Sequence, residues 1–303
     1  MTVTLNPEFA HEIVLGVPYV YWLHKQGLLD KVETSVGMKP FYYFCDNVEE
    51  KFTTRTLDNN AAGLNNLPNQ WIHHNQSVTG LVGDASNGVL DYSKWTPPPY
   101  KEVYSQNILN KPYVVVNNTY NIEFGRNERP YRSFDIKILH DIFGYLKENG
   151  YIVVYKRPKN TEFTIDQNEQ RTLSIGMDLN ANVDGIGIIN DYELCKYFDN
   201  VYLIDDLMEQ SKSYNQTQLE IFSGATGFIT PNGGGGILCA YFGKPVIMYV
   251  PDGKEKRPGY LTNETSYIKM LSNAKVYPIF DNPRDTSISN YDDLFIQIKK
   301  VFK

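Results

Sequence analysis

Short apolar runs alternate with amphipathic stretches through the second half of the chain, and this alternation predicts its fold. Apolar, β-branched runs predict buried strands at residues 113–116, 151–155, 201–204, 228–231, 246–250 and 275–279. Apolar residues at three- and four-residue spacing predict helices over residues 133–149, 215–223 and from 292 onward, and a short helix of small residues closes at Gly243. Strands that alternate with helices favour a doubly wound parallel sheet, so the predicted fold class is α/β.

The first hundred residues give a weaker pattern. They predict one helix from His11 to Gln26, with a kink at Pro18, and an aromatic strand over residues 39–46 that ends in a carboxylate. Three consecutive prolines within residues 95–100 stiffen the chain and end regular structure. The predicted domains are therefore residues 1–105 and 106–303, and residues 161–190 are expected to form an irregular loop.

Four consecutive glycines lie in the segment Asn232–Gly236, where one predicted strand ends and a helix begins. Glycine loses more backbone entropy on folding than other residues, so four in a row are expected only where side chains would block the close approach of another group to the backbone. Free N–H groups and the helix dipole at this turn favour an anion such as pyrophosphate, although a flexible connection without a ligand is the alternative. The phosphate-loop and dinucleotide fingerprints are both absent from the sequence, which disfavours an ATPase or an ordinary NAD enzyme.

Other chemistry-bearing residues follow predicted strands or lie in a polar segment. Lys156 and Arg157 follow the second strand of the larger domain, where they would either neutralise a diphosphate or remain solvated. Asp46, His73 and His74 are candidates for a general base. The alternatives are a turn aspartate and two surface histidines, and metal binding by the histidines would need further ligands that the nearby sequence does not supply.

Composition limits the partners and the compartment. The net charge of the 303 residues is −6, so the chain has no strong basic field for nucleic acid or an anionic membrane. Its three cysteines have no zinc or disulfide spacing, which fits a reducing compartment, the cytoplasm. There is no signal-peptide pattern and no apolar run long enough for a membrane span, so neither is expected.

Residues 223–234 followed by 241–247 resemble the donor-loop region of the GT-B class of nucleotide-sugar glycosyltransferases. That resemblance implies two Rossmann-like domains with a cleft between them. The N-terminal domain would bind the acceptor, the C-terminal domain would bind the donor, and the C-terminal helix would return to the N-terminal domain. It implies an inverting transfer of sugar from a UDP-linked donor to a glycan hydroxyl, with no metal and no cofactor beyond the sugar nucleotide as substrate.

Residues 95–99 and 117–124 resemble blocks of small viral and bacterial glycan-building transferases. This fainter similarity implies donor contacts from Asn118 and contacts to the donor or the acceptor from Glu123. It also implies a small neutral sugar such as xylose in a UDP-xylose donor, and a host cytoplasm location if the chain is viral. Asn232, Gly233, Gly234, Gly235 and Gly236, helped by Lys156 or Arg157, would stabilise the departing diphosphate.

The sequence departs from the GT-B pattern at one position that matters. Several members of the class carry a glutamate on the helix after the glycines to hold the donor ribose, but this helix has no carboxylate. The ribose candidates are Glu220, Asn232 and Glu264. No Asp-x-Asp pair occurs in the chain, which argues against the metal-dependent GT-A class. The alternatives are an NDP-sugar 2-epimerase and a non-catalytic sugar-nucleotide or glycan-binding module.

Overall fold

The computed structural model describes residues 1–56, 95–106, 108–119, 133–157, 180–251, 254–256, 258–262, 266–280 and 291–303. Two parallel sheets organise this part of the chain. The smaller sheet has the order β1 (Thr2–Thr4), β2 (Lys31–Ser35) and β3 (Val48–Phe52). The chain contributes this sheet entirely from residues that precede the proline-rich segment.

The larger sheet has six parallel strands. In chain order they are β4 (Tyr113–Asn117), β5 (Ile152–Lys156), β8 (Val201–Leu203), β9 (Gly227–Pro231), β10 (Val246–Val250) and β11 (Val276–Phe280). Their order in space is β8-β5-β4-β9-β10-β11. The chain therefore adds β5 and β8 on one side of β4, and then adds β9, β10 and β11 on the other side. This is the strand order of a Rossmann-like sheet, and its topological switch point lies between β4 and β9.

Helices cover both faces of the larger sheet because both faces are apolar. Val115, Val154 and Phe228 pack into one cluster, whereas their neighbours Val153 and Ile229 pack into a second cluster on the opposite face. This alternation is the period of a strand that is buried on both sides. The α-helices are Phe9–His11, Val17–Lys25, Tyr100–Val103, Ile136–Glu148, Asp191–Tyr197, Tyr214–Gly224, Gly234–Ala240, Tyr267–Leu271 and Asp292–Val301, with a π-helical segment at Glu12–Gly16 and 3₁₀ turns at Lys39–Tyr42, Ile204–Leu207 and Lys254–Lys256.

The two sheets share one apolar core and several hydrogen bonds. The first cluster runs without interruption from Val3 in the smaller sheet to Val276 in the larger one. Tyr100 in the proline-rich connection donates its hydroxyl to the carbonyl of Phe41 at 2.8 Å. Asn215 on the helix Tyr214–Gly224 donates its amide to the Gly37 carbonyl at 2.7 Å. The first bond ties the proline-rich connection to the N-terminal unit, and the second ties that unit to a helix of the larger domain.

The structure confirms the predicted α/β class and the strands and helices of the second half. Three predictions about local structure were wrong. Residues 39–46 form no strand, because Pro40 fixes the start of the 3₁₀ turn Lys39–Tyr42 and the chain then bends. Within residues 161–190, the described part contains an antiparallel hairpin of β6 (Asn180–Val183) and β7 (Gly187–Asn190).

The third correction concerns the C-terminal helix, which does not return to the N-terminal unit. Its apolar stripe of Leu294 and Ile298, continued by Phe302, packs into the second cluster against the larger sheet. The ring of Phe302 lies so close to Gly227 of β9 that an added Cβ there would be 2.8 Å from it. Burial of that stripe against the nearest apolar sheet face therefore decides where the helix lies.

Candidate site at the switch point

Three polar side chains meet where β5, β4 and β9 end side by side. Lys156, the last residue of β5, is paired in register with Asn117, the last residue of β4. Lys156 Nζ donates to Asn117 Oδ1 at 2.9 Å, and Asn117 Nδ2 donates to Thr230 Oγ1 on β9 at 2.8 Å. We call these three residues the Lys156 cluster. It lies on the edge of the sheet where parallel α/β proteins bind their ligands.

Lys156 is a buried cation without a carboxylate hydrogen-bond partner among the described residues. Its side chain is only 7% exposed, and among the described residues its one hydrogen bond is to the neutral amide of Asn117. Burial lowers the pKa of Lys156 to about 8, and the electrostatic effects of Cys239 and Asp205 act in the opposite direction. An anion bound at this ammonium group would supply the missing counter-charge.

Asn117 holds the cluster together and also explains one of the glycines. It is 1% exposed and uses its oxygen for Lys156 and its nitrogen for Thr230. A Cβ at Gly235 would lie 2.8 Å from Asn117 Nδ2, closer than real side chains approach. Glycine at position 235 therefore leaves room for the amide that orients the lysine.

Protein contacts and backbone geometry account for the rest of the glycine run. Gly233 has a φ of +133°, which side chains rarely adopt. A Cβ at Gly234 would meet the ring of Phe9 at 3.1 Å, and one at Gly236 would meet the Pro231 carbonyl at 2.9 Å. The turn is therefore a site of close approach, as the sequence predicts, but the close neighbours are parts of the protein. The glycine run does not by itself indicate a ligand.

Arg157 differs sharply from its neighbour Lys156, although the sequence places them together. Its guanidinium binds both carboxylate oxygens of Asp191, with Nε to Oδ2 at 2.5 Å and Nη2 to Oδ1 at 2.7 Å. It also lies 4.1 Å from the ring centre of Tyr192. Burial alone would lower the pKa of Arg157, but the bonds and charge of Asp191 outweigh it and raise that pKa. Lys156, the last residue of β5, is thus unpaired with any described carboxylate, whereas Arg157, the next residue, belongs to a buried ion pair.

Asn118 forms the link between that ion pair and the end of β4. Its Oδ1 accepts from the backbone N–H of Phe134 at 2.9 Å, and its Nδ2 donates to the Tyr155 hydroxyl at 3.1 Å. The same hydroxyl donates to Asp191 Oδ2 at 2.7 Å. Asn118 is fully buried, so in this arrangement it shapes the loop after β4 and supports the ion pair.

The structure separates the other predicted site residues. Asp46 is exposed and precedes β3, so it lies toward the amino end of that strand and lacks the strand-end position that favoured it as a base. Glu220 binds Lys212 at 2.8 Å and is enclosed by the helix Tyr214–Gly224. Asn232 is buried in the bend after β9, with its N–H bonded to the Tyr249 carbonyl at 2.9 Å. The remaining candidates, which are His73, His74, Glu123 and Glu264, lie outside the described residues.

Sequence reasoning missed Asn117, Thr230 and Asp191 as site residues. Asn117 and Thr230 had a usable signal, because each is a polar residue at or near the end of an otherwise apolar strand. Asp191 had none, since it lies 34 residues from the arginine it pairs with. No group of three or more His, Cys, Asp or Glu side chains in the described ranges is arranged to hold a metal ion. Across the same ranges, no helix combines the length and apolar character needed to cross a bilayer.

Together these features define a doubly wound α/β protein with a buried, polar and cationic cluster at its switch point. Neither a protein-family model nor a curated protein sequence matches the chain. Among solved structures, it is similar to the glycosyl transferase family 9 protein from Veillonella parvula DSM 2008, at 11% identity and a TM-score of 0.47, with 100% of this chain and 89% of that chain covered.

Two further solved structures are similar to the chain. The ADP-heptose lps heptosyltransferase II of E. coli has 10% identity and a TM-score of 0.35, with 88% of this chain and 72% of that chain covered. The UDP-GlcNAc 2-epimerase from Neisseria meningitidis, solved with UDP-GlcNAc bound, has 12% identity and a TM-score of 0.37, with 95% of this chain and 88% of that chain covered. At these identities and TM-scores the likeness by itself assigns no activity.

Proposed function

We propose that the protein is a glycosyltransferase that moves a sugar from a nucleoside-diphosphate sugar to a hydroxyl group of a glycan. The observation that carries the proposal is Lys156, a buried ammonium group that forms no ion pair with the described residues and lies at the switch point of a Rossmann-like sheet. A diphosphate suits this position because it is anionic, compact and able to accept several hydrogen bonds at once. Nucleotide ligands bind at the same point in other doubly wound sheets.

The proposed mechanism uses the Lys156 cluster to stabilise the leaving group. As the bond between the sugar and the diphosphate breaks, negative charge grows on the departing oxygen. A buried ammonium group that Asn117 already orients would stabilise that charge with little reorganisation. The main-chain N–H groups of Gly233–Gly236 would act beside it, since the Asn232 N–H is bonded to the Tyr249 carbonyl. Arg157 would contribute by fixing the loop through Asp191.

The acceptor hydroxyl needs a base, which we place in the N-terminal unit. Asp46, His73 and His74 remain the candidates, and Glu123 and Glu264 remain candidates for contacts to the donor. We further propose a UDP-linked donor, with xylose as the first sugar to test, and an inverting transfer. These finer points come from the resemblance of residues 117–124 and 223–247 to GT-B enzymes.

Calorimetry with inorganic pyrophosphate, UDP, GDP and ADP tests the diphosphate site, and a thermal-shift screen with UDP-xylose, UDP-glucose, UDP-N-acetylglucosamine and GDP-fucose tests the donor. A ligand present at 100 times its Kd adds about 2.7 kcal/mol to the free energy of unfolding, which a thermal shift detects. We expect one nucleotide series to bind and pyrophosphate to bind more weakly. If none of these ligands binds the wild-type protein, the proposal is wrong.

Product analysis with the stabilising donor then separates transfer from other reactions. A transferase needs an acceptor to consume the donor at its full rate, whereas a 2-epimerase converts the donor alone. Rapid release of an epimerised sugar or sugar nucleotide without any acceptor would therefore replace the proposed transfer with epimerisation. Tight binding without turnover, across a panel of glycan acceptors, would indicate a binding module.

A further inference from the structure

The Lys156 cluster continues into a chain of hydrogen bonds whose direction is fixed at both ends. Lys156 Nζ donates to Asn117 Oδ1 at 2.9 Å, and Asn117 Nδ2 donates to Thr230 Oγ1 at 2.8 Å. Thr230 Oγ1 in turn donates to the carbonyl of Pro231 at 2.8 Å. An ammonium group can only donate, and a carbonyl oxygen can only accept. Every bond in the chain must therefore point from Lys156 toward Pro231.

Thr230 is the residue that transmits this direction to the amide of Asn117. Its hydroxyl has a single proton, which is used on the Pro231 carbonyl. The hydroxyl oxygen can then only accept from Asn117, so the amide turns its nitrogen toward Thr230 and its oxygen toward Lys156. Thr230 is completely buried, so both of its hydrogen bonds are shielded from bulk solvent. The orientation of the amide therefore depends on this one hydroxyl group.

The opposite orientation of the Asn117 amide would disfavour the charged form of Lys156. A flipped amide turns its N–H groups toward the ammonium group, which places donors against a donor. That arrangement suits the neutral amine instead, because its lone pair can accept a hydrogen bond. Among titratable groups, Cys239 on the helix after the glycine turn and Asp205 in the turn after β8 also act on Lys156. Thr230 has no charge, so its influence on the lysine passes through the amide.

We propose that Thr230 is a positioning residue, which fixes the Asn117 amide so that Lys156 is presented to a diphosphate as a charged donor. The part of this inference that concerns the diphosphate rests on the proposed function, whereas the orientation of the amide does not. The ammonium group has more N–H donors than its bond to Asn117 uses. Once that bond holds the group in place, the remaining donors can be directed at the oxygens of an anion.

The test removes the Thr230 hydroxyl and follows the protonation of Lys156 directly. Thr230→Val has nearly the same shape, Thr230→Ser keeps the hydroxyl, and Thr230→Ala serves if valine prevents folding. Thr217→Val is the matched control, since Thr217 is a buried threonine whose hydroxyl has no hydrogen-bond partner within the described residues. NMR titration of protein labelled at the lysine ε-carbon, without ligand, measures the pKa of Lys156. Its signal is identified by its absence from Lys156→Met.

We expect Thr230→Val and Thr230→Ala to lower the pKa of Lys156 by about 1 to 2 pH units from its wild-type value of about 8. That is the range for the loss of a hydrogen bond to a charged group. Thr230→Ser should restore the pKa, and Thr217→Val should leave it unchanged. A lower pKa reduces the charged fraction of the lysine mainly above pH 7. Calorimetry should therefore show pyrophosphate affinity reduced by about tenfold at about pH 8.5, and by much less at about pH 6.

An unchanged pKa of Lys156 in Thr230→Val and Thr230→Ala would overturn the inference, as would a Thr230→Ser variant that behaves like Thr230→Val. A loss of pyrophosphate affinity that is equal at every pH, with the pKa unchanged, would mean that the hydroxyl only supports the packing of the strand end. If wild type binds neither pyrophosphate nor any nucleoside diphosphate, the proposed function and the diphosphate part of the inference fail. The NMR titration needs no ligand, so it still decides whether Thr230 positions the amide that faces Lys156.

Discussion

Replacing Lys156 by Met should make the protein more stable at neutral pH while it abolishes diphosphate binding. The pKa of Lys156 falls from an ordinary 10.5 to about 8 in the folded protein. At about 1.4 kcal/mol per pH unit, that difference means that keeping the buried ammonium group charged costs about 3 kcal/mol. Met fills a similar volume without a charge, but it leaves the Asn117 oxygen without its donor, which costs about 1–3 kcal/mol. The net expectation is a gain of about 0–2 kcal/mol.

The stability difference between Lys156→Met and wild type should change with pH in a defined direction. Because the folded-state pKa of Lys156 lies below the unfolded value, the unfolded chain binds more protons between about pH 8 and 10.5. The contribution of this lysine to the free energy of unfolding therefore rises with pH across that window. The stability advantage of Lys156→Met should be largest at or below pH 8 and should shrink by about 3 kcal/mol as the pH approaches 10.5.

Urea unfolding at pH 7, 8, 9 and 10 measures the difference, with Lys137→Met as the control because Lys137 is exposed. The control should show no such change with pH. Calorimetry with UDP should show binding to wild type that weakens about tenfold per pH unit above pH 8, as the ammonium group loses its proton, and no measurable binding to Lys156→Met. A variant that is less stable than wild type by the same amount at every pH would refute the reasoning, since Lys156 would then be a structural charge.

Three further predictions test the roles of the neighbouring residues. Asn117→Asp gives Lys156 a carboxylate partner, so thermal unfolding should show equal or higher stability while calorimetry shows at least about a tenfold loss of UDP affinity from charge repulsion; unchanged affinity would contradict this. Arg157→Met strands a buried carboxylate and should lower the free energy of unfolding in urea by about 3–5 kcal/mol, whereas a loss below about 1 kcal/mol would mean that its ion pair is dispensable. Gly235→Ala should reduce UDP affinity more than Gly234→Ala, because the first forces the amide of Asn117 aside and the second meets a ring edge that can move.

The second half of the fold was predictable because its strands are buried on both faces. Val114, Val115 and Val116 all point into apolar clusters, so the run of apolar residues is visible without knowledge of the neighbouring strands. The smaller sheet gave no such signal. Its strand Val48–Phe52 is mostly exposed and polar, with three charged residues in its middle. Only pairing with Lys31–Ser35 makes it a strand, and that partner cannot be read from the local sequence.

The candidate site was predictable only in its location. The carboxyl end of β5 is where the alternating pattern places a ligand edge, and the sequence correctly puts two cations there. It could not distinguish between Lys156 and Arg157, because the difference depends on Asp191, which the fold brings to the arginine from 34 residues away. The glycine run, in contrast, suggested an anion site more strongly than its contacts do. Its small residues were needed by Phe9 and Asn117, neither of which has a local signal for that contact.

The contrast between the two cations follows from where their partners lie. Arg157 together with the Tyr155 hydroxyl occupies both oxygens of Asp191. Lys156 forms its hydrogen bond to the neutral amide of Asn117, and the carboxylate whose charge acts on it is that of Asp205, not that of Asp191. We therefore expect Arg157 to support diphosphate binding indirectly, through the buried ion pair that supports the end of β5, even if its guanidinium never touches the ligand.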